Sequence, residues 1–396
     1  MKSIVLSVLC VLATCLSGFG QIPQGAIPII YDGHLYMKAT VVDTIPVTLI
    51  YDTGADYLYL DKDYMEKSTL NKLPLHKGQA QMGGAGNSEG KKVTIIVSPI
   101  NVKAGNVTHQ ENITPIINLR DIVGCHADGM TGNNMMLKKA LMINYNDGYL
   151  LPLDVVKPEM LEGYTKLPAQ FADNRIFVDC ELTIDPTQTL KGQFVLDLGC
   201  GSGVVLTNET LKTLNLEAKN KAYSFMKDSG FGGDGRDVTF RADTFKVLDI
   251  FENVVIDASL NTEGALSKRP YLGLLGNDIL CHYDLIIDAK NKQIYAKRNN
   301  SEDLSYQHSS RMHMSYVNRT DTGDGWIVRC LYEGGKAQAA GIEIGDVIIA
   351  INGRAVKGMS WEEERDLKLK GTTIFTIRKS DGTTKDYTVD ITDEII

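Results

Sequence analysis

The sequence predicts a mainly β protein with two copies of one β-rich lobe, followed by a C-terminal module that combines strands with two short helices. Three observations support this fold class. Short apolar stretches alternate with turn residues along most of the chain, which is typical of antiparallel barrels. One set of landmarks occurs twice at nearly equal spacing. Beyond a polar stretch near residue 300 the pattern changes, which indicates a separate unit.

The repeat is anchored by two acidic residues, Asp52 and Asp197, each of which ends an apolar run. A Gly-x-x-Gly stretch follows, and its last glycine stands 80 residues after Asp52 and 79 residues after Asp197. Another apolar strand pattern begins at the same distance beyond each stretch. We therefore predict two homologous β-barrel lobes, over residues 25–155 and 172–298. The connector from Pro152 to Asp173 holds prolines and a glycine and is predicted to be irregular.

The first twenty residues have the pattern of a secretory signal peptide. A lysine at position 2 precedes an apolar stretch from Ile4 to Leu16, which small residues follow. This pattern predicts a signal at residues 1–20 and an extracytoplasmic protein, either periplasmic or secreted. A bacterial lipoprotein signal is the alternative. In that case Cys15 would carry the lipid and the protein would be held at a membrane.

The composition argues against several other kinds of partner and site. A formal net charge of −8 argues against nucleic acid. Of the 7 cysteines, Cys10 and Cys15 fall in the signal region, and the others are widely scattered. They have neither the even number of a disulfide framework nor the Cys-x-x-Cys spacing of a metal site. We therefore expect no cofactor and no metal.

Two aspartates brought together by a duplication could act as an acid and a base. A second carboxylate nearby raises the pKa of the first, so the pair shares one proton. One carboxyl could then take a proton from water while the other donates a proton to a carbonyl oxygen. This chemistry hydrolyses an amide bond without a metal or a covalent intermediate.

The residues around Asp52 resemble those of the retropepsin and pepsin-like aspartic proteases. The resemblance is carried by Asp-Thr-Gly-Ala at residues 52–55, which follows a hydrophobic run, and by the downstream stretch at residues 273–278. It implies two retropepsin-like lobes in a pepsin-like arrangement, with Asp52 and Asp197 as the catalytic residues. It also implies three supporting residues, which are Thr53, Gly54 and Gly199.

Each lobe has a glycine-rich stretch between its aspartate and its Gly-x-x-Gly landmark. We interpret both stretches as the tips of mobile hairpins, although an ordinary surface turn is the alternative for either one alone. In the family a glycine-rich flap closes over the substrate. The resemblance therefore implies flap roles for six glycines, which are Gly83, Gly84, Gly86, Gly230, Gly232 and Gly233.

The second motif departs from the family at Leu198. The family has Thr or Ser after each catalytic aspartate, and those hydroxyls hold the two lobes together. Thr53 fits this pattern, but Leu198 has no hydroxyl to contribute. Two functions therefore stay open. One is an aspartic-type endopeptidase acting on a polypeptide substrate, and the other is a catalytically impaired, pepsin-like protein that binds peptides without cutting them.

The C-terminal module, predicted over residues 311–392, resembles a PDZ domain of the bacterial protease-associated type. The residues that carry this resemblance are Ala340-Gly341-Ile342 and the stretch Gly345 to Gly353. It implies recognition of a peptide or a protein C-terminus, which would add to a sheet edge as an extended strand. The segment from Met312 to Thr322 is the candidate for a carboxylate-binding loop.

A helix is predicted late in this module. Ser360 and Glu363 have the spacing of a capping box, and the helix should run to about Lys370, with Gly371 just past its end. We expect Trp361 to pack the module rather than to anchor a ligand.

Overall fold

The computed structural model describes residues 22–88, 90–219, 223–230, 233–267, 269–300, 312–367 and 369–391. The predicted signal peptide with Cys15, and Gly232 among the flap glycines, lie outside the described residues. Strands account for 49% of the chain and helices for 12%, which confirms the prediction of a mainly β fold.

The first part of the chain folds into short strands with a few helical turns. Its strands are β1 (Ile27–Tyr31), β2 (Leu35–Val41), β3 (Ile45–Tyr51), β4 (Leu58–Asp61), β5 (Lys77–Met82), β6 (Lys91–Ile96), β7 (Ile100–Ala104), β8 (Val107–Glu111), β9 (Thr114–Ile117), β10 (Gly129–Thr131), β11 (Ala140–Asn144) and β12 (Tyr149–Leu153). Its helices are α1 (Lys62–Lys67), α2 (Arg120–Val123) and α3 (Asn133–Met136). Asp61 caps α1 by accepting from the Tyr64 N–H, the usual role of an aspartate at a helix start.

The second part has longer strands. They are β13 (Thr165–Leu167), β14 (Ala169–Ala172), β15 (Arg175–Asp185), β16 (Gln188–Leu196), β17 (Val204–Leu206), β18 (Tyr223–Gly230), β19 (Gly233–Lys246), β20 (Ile250–Ser259), β21 (Gly273–Leu275), β22 (Tyr283–Asp288) and β23 (Gln293–Arg298), with helices α4 (Asn208–Leu211) and α5 (Asn277–Leu280). The connector is more regular than predicted. Pro158 begins a 3-10 turn, and β13 and β14 on either side of Pro168 pair with β23 and β15.

The two parts share one strand arrangement around their aspartates. In the first part β10 pairs in parallel with β3 and antiparallel with β4. In the second part β21 pairs in parallel with β16 and antiparallel with β17. Strands β11 and β22 join the two parts antiparallel, with Leu141 opposite Ile287. One hydrophobic core of buried aliphatic and aromatic residues runs through both parts.

The C-terminal module is a small sheet with two short helices. Its strands are β24 (Met314–Asn318), β25 (Trp326–Tyr332), β26 (Val347–Ile351), β27 (Arg354–Ala355), β28 (Gly371–Arg378) and β29 (Thr384–Ile391), and its helices are α6 (Lys336–Ala339) and α7 (Trp361–Arg365). The module has its own hydrophobic core, in which Trp326 and Phe375 are fully buried.

Two expectations about this module are corrected. The capping box at Ser360 is present, but α7 ends at Arg365 rather than near Lys370, and Gly371 opens β28 instead of following a helix. The helix stops early because Leu367 and Leu369 pack against the module core. In the segment from Met312 to Thr322, the residues Met314–Asn318 form the strand β24, and the residues after Asn318 form a turn.

Within the part of the chain that the structure describes, no helix has the length and apolar character needed to cross a membrane.

Candidate active site and the C-terminal module

The structure brings Asp52 and Asp197 together. Each aspartate directly follows a strand of the repeated arrangement, β3 for Asp52 and β16 for Asp197. The backbone N–H of Asp52 donates to Thr131 O at 3.0 Å, and that of Asp197 donates to Leu275 O at 2.9 Å. These equivalent bonds point both side chains toward the junction of the two lobes, where the carboxyls hydrogen-bond to each other.

Two glycines leave room for this contact. The Gly54 N–H donates to Asp52 Oδ1 at 2.6 Å, and the Gly199 N–H donates to Asp197 Oδ1 at 2.9 Å. A Cβ on Gly54 would lie 2.9 Å from both carboxylate oxygens of Asp197, and a Cβ on Gly199 would lie 2.5 and 2.6 Å from those of Asp52. Each glycine therefore makes room for the carboxyl of the opposite lobe.

Both carboxyls have raised pKa values. Burial raises the pKa of Asp52 well above its usual range, and the charge of Asp197 raises it further. Burial also raises the pKa of Asp197, while hydrogen bonds from Asp52 and the Gly199 N–H hold it down. Both directions fit a pair of carboxyls that shares one proton.

Thr53 links the two lobes beneath the aspartates. Its fully buried hydroxyl donates to Leu196 O at 2.7 Å and accepts from the Leu198 N–H at 2.9 Å. Leu198 is equally buried, but it packs into the hydrophobic core and returns no side-chain hydrogen bond. The hydroxyl lock is therefore present on one side of the pair only.

Two buried asparagines that our sequence interpretation left without a role add contacts on both sides. Asn133 Nδ2 donates to Thr53 O at 2.9 Å and to Asn174 O at 2.7 Å. Asn277 Nδ2 donates to Leu198 O at 2.8 Å and to Gly33 O at 2.9 Å. Both follow the last glycine of a Gly-x-x-Gly landmark, and this shared position is the signal by which the sequence could have indicated them.

The surroundings of the pair differ between the lobes. Arg175, next to Asn174, forms an ion pair with Asp56 at 2.6 Å, and its positive charge lowers the pKa of both Asp52 and Asp197. At the corresponding place after Gly33 stands His34. Burial lowers the pKa of His34 to about 4, so this side chain is neutral at pH 7.

Both glycine-rich stretches lie at hairpins. Gly83, Gly84 and Gly86 belong to the turn between β5 and β6, and this turn contacts the second lobe. There Gly84 O accepts from the Ala265 N–H at 3.1 Å. Gly230 and Gly233 pair across the end of the β18–β19 hairpin.

Comparison with known families adds one finding. Residues 327–366 match the family model of the PDZ domain. The C-terminal module therefore contains a PDZ domain, which agrees with the resemblance seen in the sequence. No curated protein matches the chain. PDZ domains bind peptide C-termini as an added strand, and β24 is an edge of this sheet among the described strands.

The C-terminal module is docked on the first lobe through a cluster of charges. Arg120 of the lobe, 9% exposed, pairs with Asp128 of the lobe and with Asp321 of the module. Arg319 of the module, 7% exposed, pairs with Asp63 and Asp121 of the lobe. Each arginine is enclosed and has carboxylate partners on both sides of the contact, so the charges tie the two units together.

Trp361 reinforces this contact instead of packing its own module as we expected. Its ring stacks on His126 with centroids 4.5 Å apart and meets Tyr36 edge-on at 4.8 Å. Its Nε1–H donates to Asp32 Oδ2 at 2.8 Å. His126, Tyr36 and Asp32 all belong to the first lobe. The sequence could not indicate this partner, because Trp361 and Asp32 are 329 positions apart.

The PDZ domain also joins the second lobe, through backbone pairing. Strand β18 pairs antiparallel with β25, with Met226 opposite Tyr332. Next to this pairing the Glu333 N–H donates to Phe225 O at 2.7 Å. Arg236 of β19 forms a two-point ion pair with Glu333, at 3.1 and 2.8 Å. The β18–β19 hairpin and the PDZ sheet are thus one continuous sheet.

Proposed function

We propose that this chain is an aspartic-type endopeptidase that cleaves a polypeptide substrate through Asp52 and Asp197. The observation that carries the proposal is the pair of hydrogen-bonded carboxyls at the lobe junction, both with raised pKa values. The duplicated strand arrangement around them supports two retropepsin-like lobes. The pattern of the first twenty residues supports an extracytoplasmic location.

In this mechanism the two carboxyls use one proton between them. Asp197 takes a proton from a water molecule as the water oxygen bonds to the peptide carbonyl carbon, and Asp52 gives its proton to the carbonyl oxygen. In the second step the proton on Asp197 passes to the amide nitrogen as the C–N bond breaks. Asp52 recovers its proton from the hydroxyl of the intermediate, which leaves a carboxylic acid and an amine.

The other elements have supporting roles in this proposal. The N–H groups of Gly54 and Gly199 each donate to one carboxyl and hold it in position, and Thr53 fixes the spacing of the two loops. The β5–β6 and β18–β19 hairpins act as flaps over the substrate. The PDZ domain binds a peptide or protein C-terminus.

A second function, peptide binding without cleavage, is favoured by Leu198. Because this residue gives no hydroxyl to the lobe junction, one half of the lock is missing. If the two aspartates are positioned less firmly, the protein could bind a peptide without bringing the carboxyls into the geometry that hydrolysis needs.

The test is cleavage of a denatured protein from pH 3 to 8 by the full chain, by Asp52→Asn and by Asp197→Asn. Asp284→Asn is the matched control, because Asp284 is a partly buried aspartate on β22, outside the pair. We expect cleavage by the parent chain and by the control, and none by the other two variants. Cleavage by both dyad variants would exclude the mechanism. Tight binding of a statine-type mimic without cleavage at any pH would favour the binding protein.

A further inference from the structure

We propose that Asn133 and Asn277 are paired positioning residues for the two aspartates, which they hold in place together with the Thr53 hydroxyl. This inference rests on the proposed function, and it concerns how the pair of carboxyls is held. Neither asparagine touches the reacting carboxyls, so neither is a catalytic residue.

The donors and the acceptor of each side-chain amide are all hydrogen-bonded. The Asn277 Nδ2 group donates one hydrogen bond to Leu198 O and one to Gly33 O, and its Oδ1 accepts from the Tyr145 hydroxyl at 2.9 Å. Asn133 uses its amide in the same way, with the Tyr51 hydroxyl donating to Oδ1 at 3.3 Å. Asn277 is 0% exposed and Asn133 is 3% exposed. Burying an amide lowers the stability of the fold unless its donors and acceptor are hydrogen-bonded, so both positions require a side chain that can make these bonds.

The two donor bonds of each amide join different lobes. In each case one carbonyl belongs to the residue directly after an aspartate, Thr53 or Leu198. The other carbonyl belongs to the hairpin turn of the opposite lobe, at Asn174 or Gly33. Each asparagine therefore fixes an aspartate-bearing loop relative to the other lobe.

The hairpin turns that the asparagines hold also deliver side chains to the pair. Asn174 is followed by Arg175, whose charge acts on both carboxyls. Gly33 is followed by His34, which hydrogen-bonds to the backbone of Gly199. Holding the two turns thus keeps the charge of Arg175 and the hydrogen bond of His34 in place beside the pair.

The Thr53 hydroxyl fastens both loops at once. It belongs to the loop that Asn133 holds, and it bonds Leu196 O and the Leu198 N–H in the loop that Asn277 holds. Each loop therefore has one asparagine and a share in this lock, so the loss of either asparagine should move its loop by a similar amount.

The experiment compares Asn277→Ala, Asn133→Ala and Asn208→Ala in the full chain. Asn208 is the matched control, a 6% exposed asparagine that donates to Ser259 O within the second lobe, away from the pair. Since displacing a reacting group by about 1 Å costs roughly 100-fold in rate, we expect kcat to fall roughly 100-fold for both Asn277→Ala and Asn133→Ala. KM should change little, and the control should keep the parent kcat. Adding Leu198→Thr should recover part of the loss in both variants, because a second hydroxyl would link the same two loops.

A second measurement does not depend on turnover. The two apparent carboxyl pKa values of the pair are followed by carbon-13 NMR titration of labelled aspartate. In Asn277→Ala the two values should move toward each other, because more distant carboxyls interact less. If the parent chain cleaves nothing, the proposed protease activity fails while this titration still tests the positioning role. If Asn277→Ala does not fold, Asn277→Ser with and without Leu198→Thr makes the same comparison. Parent-like kcat together with an unchanged titration in the Asn277 variant would overturn the inference.

Discussion

Replacing Gly199 with alanine tests the closeness of the two carboxyls most directly. A Cβ at this position would lie 2.5 and 2.6 Å from the carboxylate oxygens of Asp52. Favourable contact between non-bonded heavy atoms needs about 3.5 Å, so the carboxyl must retreat by roughly 1 Å. A misplacement of that size costs roughly 100-fold in rate, which is about 2.7 kcal/mol in the barrier. The strain also lowers the free energy of unfolding by about 1–3 kcal/mol.

The assay is kcat/KM on a denatured protein substrate, with urea unfolding as the check on stability. Gly323→Ala is the control, because a Cβ there would find its nearest atom, Arg319 O, at 3.4 Å. We expect the control to keep both activity and stability. Parent-like kcat/KM for Gly199→Ala would refute the reasoning, since an added methyl group could then fit without moving Asp52.

Three further predictions concern stability. Thr53→Val should lower the free energy of unfolding by roughly 2–4 kcal/mol, because the buried Leu198 N–H and Leu196 O lose their partner. Thr53→Ser retains the hydroxyl and should keep most of the parent stability. Equal urea midpoints for the two variants would contradict this. Burial raises the pKa of Asp284 to about 6, against about 3.9 when unfolded. The contribution of the protonated Asp284 carboxyl to the free energy of unfolding is thus fully present below pH 4 and is lost as the pH rises through 6. Over that window the parent chain should therefore lose stability relative to Asp284→Asn. Parallel dependence of the two urea midpoints on pH would rule this out. Arg319→Met should lower the free energy of unfolding by about 3–5 kcal/mol, whereas Arg354→Met, at an exposed ion pair, should lower it by about 0–1 kcal/mol. X-ray scattering should show expansion only for the first variant, and similar behaviour of both would count against the docking.

The sequence predicted the local elements well where a residue's neighbours decide its conformation. Ser360 starts a helix with the capping box that its spacing predicts. The end of that helix could not be read locally. It depends on where Leu367 and Leu369 find the core of the module, which is a tertiary contact.

The candidate site was predictable in its two aspartates and not in what holds them. Duplicated motifs indicated Asp52 and Asp197, since a repeat is visible as spacing along the chain. The contact from Asn277 to Gly33 spans 244 positions, and a one-dimensional pattern carries no trace of it. For the same reason the docking of Trp361 on the first lobe could not be foreseen.

The shared sheet between β18 and β25 limits how the protein can be shortened. A chain ending at residue 300 would lose the backbone partner of β18 and the ion pair of Arg236. It would also leave Arg120 without Asp321. Unpaired strand edges promote association between chains. The two lobes alone should therefore aggregate, and the smallest unit that stays monodisperse in solution should include the PDZ domain.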